Sequence, residues 1–342
     1  MNSQTLPEAG RAARDWLPTL NHYRSASPVR GAAEIAITVV PFILLWGAAW
    51  FSLRWGYVFT LLFAVLAAGF LVRLFMIQHD CGHGAFFPRR RANDWAGRAI
   101  SVLTFTPYDD WRRSHAVHHS TSGNLDLRGI GDITTLTVSE YLARSSTGRL
   151  AYRLYRNPLV MFGLGPAYLF LLQHRLPAFG VLTDWRSWVS PMVTNAAIAL
   201  LAGVIIWLIG IGPFLLVQVP IILLASSIGV WLFYVQHQFE KTVWAGDSDW
   251  SVHEAALHGS SHYDLPMVLR WFTANIGVHH VHHLCSRIPF YCLNRVLRDH
   301  PQLNDVGRIT FIESLSCVRL VLWDAAHRRL ISFQELRGRS SL

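Results

Sequence analysis

The chain is 342 residues long, 52% hydrophobic and only 15% charged, with 14 tryptophans and a formal net charge of +9. That balance excludes an ordinary water-soluble domain and indicates a membrane protein, so the basic excess points to anionic lipid headgroups and not to nucleic acid. Its four cysteines, Cys81, Cys285, Cys292 and Cys317, form no C-x-x-C pair, which argues against a structural zinc knuckle and a disulfide framework.

In chain order, residues 1–30 are polar and carry Arg11, Arg14, Arg24 and Arg30 before any apolar run. They do not read as a signal peptide, and a basic segment of this kind is expected to stay in the cytosol. The first apolar run, Ile35 to Leu53, has no charged residue and ends at Arg54. The second, Trp55 to Gln78, has one charge, Arg73, near its far end, where it is expected to snorkel to the headgroups. Each run supplies the roughly 20 residues that cross a hydrocarbon core. Residues 157–173 are apolar but broken by Pro158, Gly163, Gly165 and Pro166, which predicts a segment lying along the interface. Ser187 to Gln236 then runs without a charge, interrupted near Gly210-Ile211-Gly212-Pro213. As helix it would extend roughly 75 Å, enough for two spans and a turn.

The expected fold class is therefore an all-α integral membrane protein. Four transmembrane helices, at about 35–53, 56–78, 190–210 and 213–236, would form two hairpins within a single domain of residues 1–342. No repeat of solenoid period is visible.

Three histidine clusters follow. His79-Asp80-Cys81-Gly82-His83 closes the second run, and its two histidines share a face if the helix continues past Gly82. His115-Ala116-Val117-His118-His119 has spacing i, i+3, i+4, and so do His279, His282 and His283 within Val278-His279-His280-Val281-His282-His283. Imidazoles on one helical face suit a metal, and these clusters offer too many for one ordinary four-coordinate zinc site. Two octahedral-type ions with open positions fit the number better, and a dry site at the membrane edge argues for iron. For the clusters to share a site, an even number of crossings must separate His79 from the last cluster. The last two spans supply it. Nearly every arginine then falls on the N-terminal side, which puts both termini and a histidine-rich di-iron cap on the cytosolic face of the inner membrane.

The soluble di-iron motif Glu-x-x-His, a serine nucleophile motif and a P-loop are all missing from the sequence. In His253-Glu254-Ala255-Ala256-Leu257 the zinc-protease pattern fails because the second histidine is displaced to His258.

The sequence resembles the integral-membrane fatty acid desaturases, and its flanks are similar to the bacterial and cyanobacterial acyl-lipid branch of delta-12 (omega-6) type. The likeness runs from Arg24 to about Asn294 and rests on four stretches. They are His79-Asp80-Cys81-Gly82-His83-Gly84-Ala85-Phe86-Phe87, Asn124 to Asp132, Val235-Gln236-His237-Gln238-Phe239-Glu240, and Asn275 to Leu284. The resemblance implies two iron ions held by His79, His83, His115, His118, His119, His279, His282 and His283. It also implies dioxygen as co-substrate and removal of two hydrogens from the acyl chain of a membrane lipid, leaving a cis double bond. His237 stands where the family has a further histidine, as ligand or as support. The electron donor would be a separate ferredoxin-like protein, since no His-Pro-Gly-Gly haem motif is fused here.

His280 points about 100° from His279 on a helix and is expected beside the site, not in it. Asp80, Asp126, Asp132, Glu240 and Asn275 are candidates to support the ligating histidines, the carboxylates by accepting the outer ring N–H, with surface ion pairs to nearby arginines as the alternative. His258 and His262 share i, i+4 spacing but are read as surface residues outside the site, and Cys81 as packing. Two other readings stay open: a hydroxylase or oxygenase of the same fold, and a non-catalytic histidine-rich metal transporter.

Overall fold

The computed structural model describes residues 6–177 and 185–340. The N-terminal half contains α1 (Leu6–Asn21), α2 (Pro28–Ser52), α3 (Tyr57–His83), α4 (Arg90–Thr104) and α5 (Tyr108–Thr121). After β1 (Leu136–Thr137) come α6 (Val138–Ala143), α7 (Ser146–Tyr155), a π-helical turn at Val160–Leu164, α8 (Gly165–Leu171), α9 (Arg186–Ile209) and α10 (Ile211–His237). The rest alternates short pieces: α11 (Val252–His258), β2 (His262–Asp264), α12 (Met267–Phe272), α13 (His279–Leu284), α14 (Phe290–Asp299), β3 (Arg308–Thr310) and α15 (Phe311–Ser314). It ends with β4 (Leu322–Asp324), β5 (Arg329–Ile331) and α16 (Phe333–Ser340).

Four of the described helices, α2, α3, α9 and α10, are long and apolar enough to cross a membrane. Their ends differ from the apolar runs for local reasons. α2 begins seven residues before Ile35 because Ser27 caps it, its hydroxyl accepting from the Arg30 N–H at 3.3 Å, and Pro28 occupies the first turn. α3 runs on past Gly82 to His83 and stops where Gly84 adopts a left-handed conformation at φ 68°. That extension stacks His79 and His83 one turn apart.

α3 is the central element, packed along α2, α4 and α10. The early start of α2 also changes the fate of Arg73. Instead of reaching the headgroups, Arg73 is 2% exposed and pairs at 2.5 Å with Glu34, itself 1% exposed. The guanidinium also donates to the Trp271 carbonyl and lies 4.0 Å over the Trp271 ring. Glu34 lies just before the first apolar run, so the charge that sequence assigned to lipid finds its partner inside the protein.

The chain is mostly helical but not all-α. β1, β4 and β5 form a three-stranded sheet, with β1 parallel to β4 at Leu136↔Leu322, and β2 runs parallel to β3 at His262↔Arg308. Strands of two or three residues are too short to show an alternating pattern in sequence. They nonetheless bury Leu322, Trp323, Leu330 and Ile331 and fasten the C-terminal segment. The segment expected at the interface forms the π turn and α8, packed on α10 where Phe162 meets Trp231 and Tyr234 edge-on, with Leu159, Leu164 and Tyr168 exposed.

Replacing Glu34 by Leu alone should cost about 3–5 kcal/mol by stranding a buried guanidinium, whereas Glu34→Leu with Arg73→Met should recover most of the loss. Thermal unfolding of the detergent-solubilised chain checks this ordering.

Candidate metal centre

The three clusters and His237 converge at the ends of α3 and α10, with α5 and α13 packed across them. They form two groups, not one. His79, His83, His115, His119 and His282 make the first, and His118, His237, His279 and His283 the second, with the facing ring nitrogens of each group within 4.8 Å of one another.

Helical geometry explains the sorting. Residues at i and i+4 lie about 40° apart around a helix, while i+3 lies about 60° to the other side. His115 and His119 of α5 therefore face the first group, and His118 turns to the second. α13 does the reverse: His279 and His283 enter the second group and His282 crosses to the first. The i, i+3, i+4 triplet thus divides between two groups, where the sequence reading placed all three on one face. The rings interleave, with His119 stacked on His283 at 4.0 Å and 10°.

Within each group the Nε2 atoms come together. His83 to His115 is 3.0 Å, His115 to His119 is 3.2 Å and His119 to His282 is 3.2 Å. In the second, His237 lies 3.1 Å from both His118 and His279, and His279 lies 3.0 Å from His283. Burial holds the imidazoles of His115, His119, His279, His282 and His283 well below their ordinary pKa, and the neighbouring rings push the same way. They are neutral rings.

Asp132 Oδ1 lies 2.5 Å from His118 Nδ1 and so sets the N–H on the outer nitrogen, leaving an Nε2 lone pair aimed at His237. Lone pairs so arranged repel each other unless a cation lies between them, and neutral imidazole is a metal donor. The residues present fit a metal in each group. Ligand nitrogens at right angles around an ion sit about 3.0 Å apart for metal–nitrogen bonds of roughly 2.1 Å, closer than in a tetrahedral zinc site.

Supporting contacts follow only part of the sequence reading. Besides Asp132, Asp80 Oδ1 lies 3.4 Å from His79 Nδ1, but its Oδ2 accepts the Phe290 N–H at 2.6 Å and ties the end of α3 to α14. Asp126 reaches no imidazole; it accepts the Asp247 N–H at 2.7 Å and joins two loops. Glu240 is exposed, without an ion pair to any histidine. Asn275, at φ 57°, donates to the Phe290 carbonyl at 3.0 Å and shapes the turn before α13. His280 turns away, its Nε2 donating to the Leu303 carbonyl at 2.9 Å. His258 is half-exposed beside Glu254, whereas His262 is buried, contrary to its reading as a surface residue, and lies outside both groups.

Two aromatics were not anticipated. Trp111 stacks on His115 at 4.5 Å and 17°, and Phe233 lies 5.0 Å from His118 and 5.1 Å from His237. Each stands four residues before a histidine of one of the two groups on the same helix, His115 for Trp111 and His237 for Phe233, which is the signal that sequence offered. Glycines make room for this packing. A Cβ at Gly82 would sit 2.8 Å from the Trp111 ring, and one at Gly277 would collide with the Tyr263 carbonyl.

Comparison with known proteins agrees. The sequence model of the family described as fatty acid desaturase matches residues 54–313. The chain is 48% identical over 304 residues to a "Fatty acid desaturase" of Bacillus subtilis, covering 89% of this chain and 86% of that one. It is 29% identical to the "sn-1 oleoyl-lipid 12-desaturase" of Synechocystis, over 65% of this chain and 63% of the relative. It is 27% identical to the "sn-1 acyl-lipid omega-3 desaturase (ferredoxin)" of the same organism, over 65% and 62%.

His237→Ala should lower the metal content of the purified chain, while His280→Ala should leave it unchanged, as metal analysis would reveal. Asp132→Asn should weaken retention about 10–100-fold, read by competition with a chelator.

Proposed function

Because the chain belongs to the fatty acid desaturase family, whose members are membrane oxidoreductases of lipid metabolism, we propose that it desaturates the acyl chain of a membrane lipid at a histidine-held di-iron centre. The observation that carries the reading is the sorting of nine histidines into a group of five and a group of four. Each group would hold one iron ion, His237 included as a ligand. When bound, the two ions supply the dioxygen chemistry that no amino-acid side chain provides.

The protein's own part is positioning and exclusion of water. α3, α5, α10 and α13 deliver the ring nitrogens, Asp132 orients His118, and Trp111 and Phe233 wall the imidazoles with apolar surface. Two hydrogens leave the acyl chain as a cis double bond forms. Reducing dioxygen to two waters then takes two more electrons and two protons. A separate donor must bring those electrons, and a ferredoxin-like protein fits the basic face. The name of one relative specifies ferredoxin, which supports the same class.

In this reading residues 1–342 are a single desaturase domain of the inner membrane, with α2–α3 and α9–α10 as two hairpins. The arginine excess on the histidine side supports a cytosolic active site and cytosolic termini. The polar groups within the spans weigh against the transporter reading, because they satisfy one another. Trp46 donates to Gln218 at 2.9 Å, and Ser52 meets Thr60 at 3.1 Å, so neither lines a path for ions.

Expression in a host with only saturated and monounsaturated lipids should yield a new double bond, located by mass spectrometry, and His237→Ala should abolish it. Unchanged lipids with iron loaded and reductant supplied would overturn the reading, and hydroxylated chains would move it to the oxygenase. Turnover in detergent should fall steeply as salt rises at constant iron content if the donor docks on the basic face.

A further inference from the structure

Outside both histidine groups lies a cavity of about 370 Å³ whose walls include Arg270, Arg298, Arg308, His262, Asn294 and Asn304. Two carboxylates share it, but Asp264 is taken by Arg308 at 2.7 Å. Arg270 and Arg298 remain against Asp305 alone within the cavity, and the other carboxylate near Arg298, Asp299, stands 3.8 Å away on the open surface. His262 is buried, with its Nδ1 spent on the Asn304 carbonyl at 2.6 Å. The cavity has guanidinium charge to offer.

Its depth in the fold says to what. Arg270 belongs to α12, and the far end of that helix packs on α3. Trp271 meets Phe70 edge-on at 5.7 Å, Phe272 covers Gly69, and the Trp271 carbonyl accepts from Arg73. Gly69 and Phe70 lie inside the apolar run of α3, one turn beyond Arg73 and Glu34, where the first apolar run begins. α12 therefore runs where hydrocarbon meets headgroups.

Its outward face is apolar, with Met267 78% and Val268 62% exposed. α15, which follows directly from the strand bearing Arg308, adds Ile312 at 78% exposure. Exposed apolar side chains at the membrane edge on the same elements as the cavity arginines suit a ligand that is greasy at one end and anionic at the other. Guanidinium groups match a phosphate oxygen pair in geometry as well as charge.

We propose that this cavity binds the phosphodiester of an anionic glycerophospholipid whose acyl chains lie over Met267, Val268 and Ile312. The site rests on the membrane residence of the chain and not on the desaturase reaction, so its occupancy is read without reductant or oxygen.

The experiment is native mass spectrometry of the full metal-loaded chain in detergent, titrated with phosphatidylglycerol or phosphatidylcholine of identical acyl chains. The wild type should retain phosphatidylglycerol on the order of tenfold better, from two guanidinium contacts. Arg270→Gln with Arg298→Gln should erase the preference at unchanged metal content, and Arg270→Lys with Arg298→Lys should keep it. Equal retention of the two lipids by the wild type would overturn the proposal. So would loss of the preference in the lysine variant, or glycerol phosphate binding as tightly as the lipid. If the glutamine variant does not fold, a photoactivatable phosphatidylglycerol on the wild type decides. Labelling of the peptides that carry Arg270, Arg298 or Ile312 supports the site, and labelling confined to other peptides overturns it.

Discussion

Nine imidazoles gathered into two tight groups create a problem that the protein cannot solve with its own atoms. Facing ring nitrogens come within 3.0 to 3.2 Å, no carboxylate among the described residues enters either group, and burial holds the imidazoles of His115, His119, His279, His282 and His283 well below their ordinary pKa. A cation between such nitrogens would make the arrangement favourable, and each group could hold one. Much of the fold beyond the four long apolar helices can be understood as what holds those rings in place against their mutual repulsion.

The holding is done by ties of high sequence separation. Asp80, one residue after His79, accepts the Phe290 N–H at the start of α14, and Asn275 donates to the Phe290 carbonyl. Together they lock the end of α3 to the turn that launches α13. Gln236, one residue before His237, donates to the Ile276 carbonyl at 3.0 Å and ties α10 to the same turn. The turn itself depends on Gly277, where no side chain fits against Tyr263. Lower down, Glu34 and Arg73 join α2 to α3 at the membrane edge and hold α12 there through the Trp271 carbonyl. The α12 surface, with the arginine cavity behind it, is thus anchored to the same helix that carries His79 and His83.

Much of this was legible. Uncharged runs of span length cannot be mistaken for loops, and the i, i+3, i+4 histidines announce helical clusters with metal-ligand spacing without any partner in view. His280 could be set aside by angle alone. Other features left no trace. His237 has no histidine at helical spacing, so only a resemblance singled it out. Arg73 looked like a snorkelling residue because Glu34 is 39 positions away and sits just outside its own apolar run. Asp126 and Asp132 looked alike in sequence, yet one ties a loop and the other orients a histidine. The short strands escaped because two or three residues carry no period.

The sequence by itself determined that four long apolar helices would form and that histidines would stand in clusters with the spacing of metal ligands. Those properties reside in composition and local spacing, which the chain carries wherever it goes. Tertiary structure alone decided that each histidine triplet divides between two groups, that His237 joins the second, and that Arg73 is buried. Each of those depends on how α3, α5, α10 and α13 cross, and a crossing is set by packing between residues far apart in the chain.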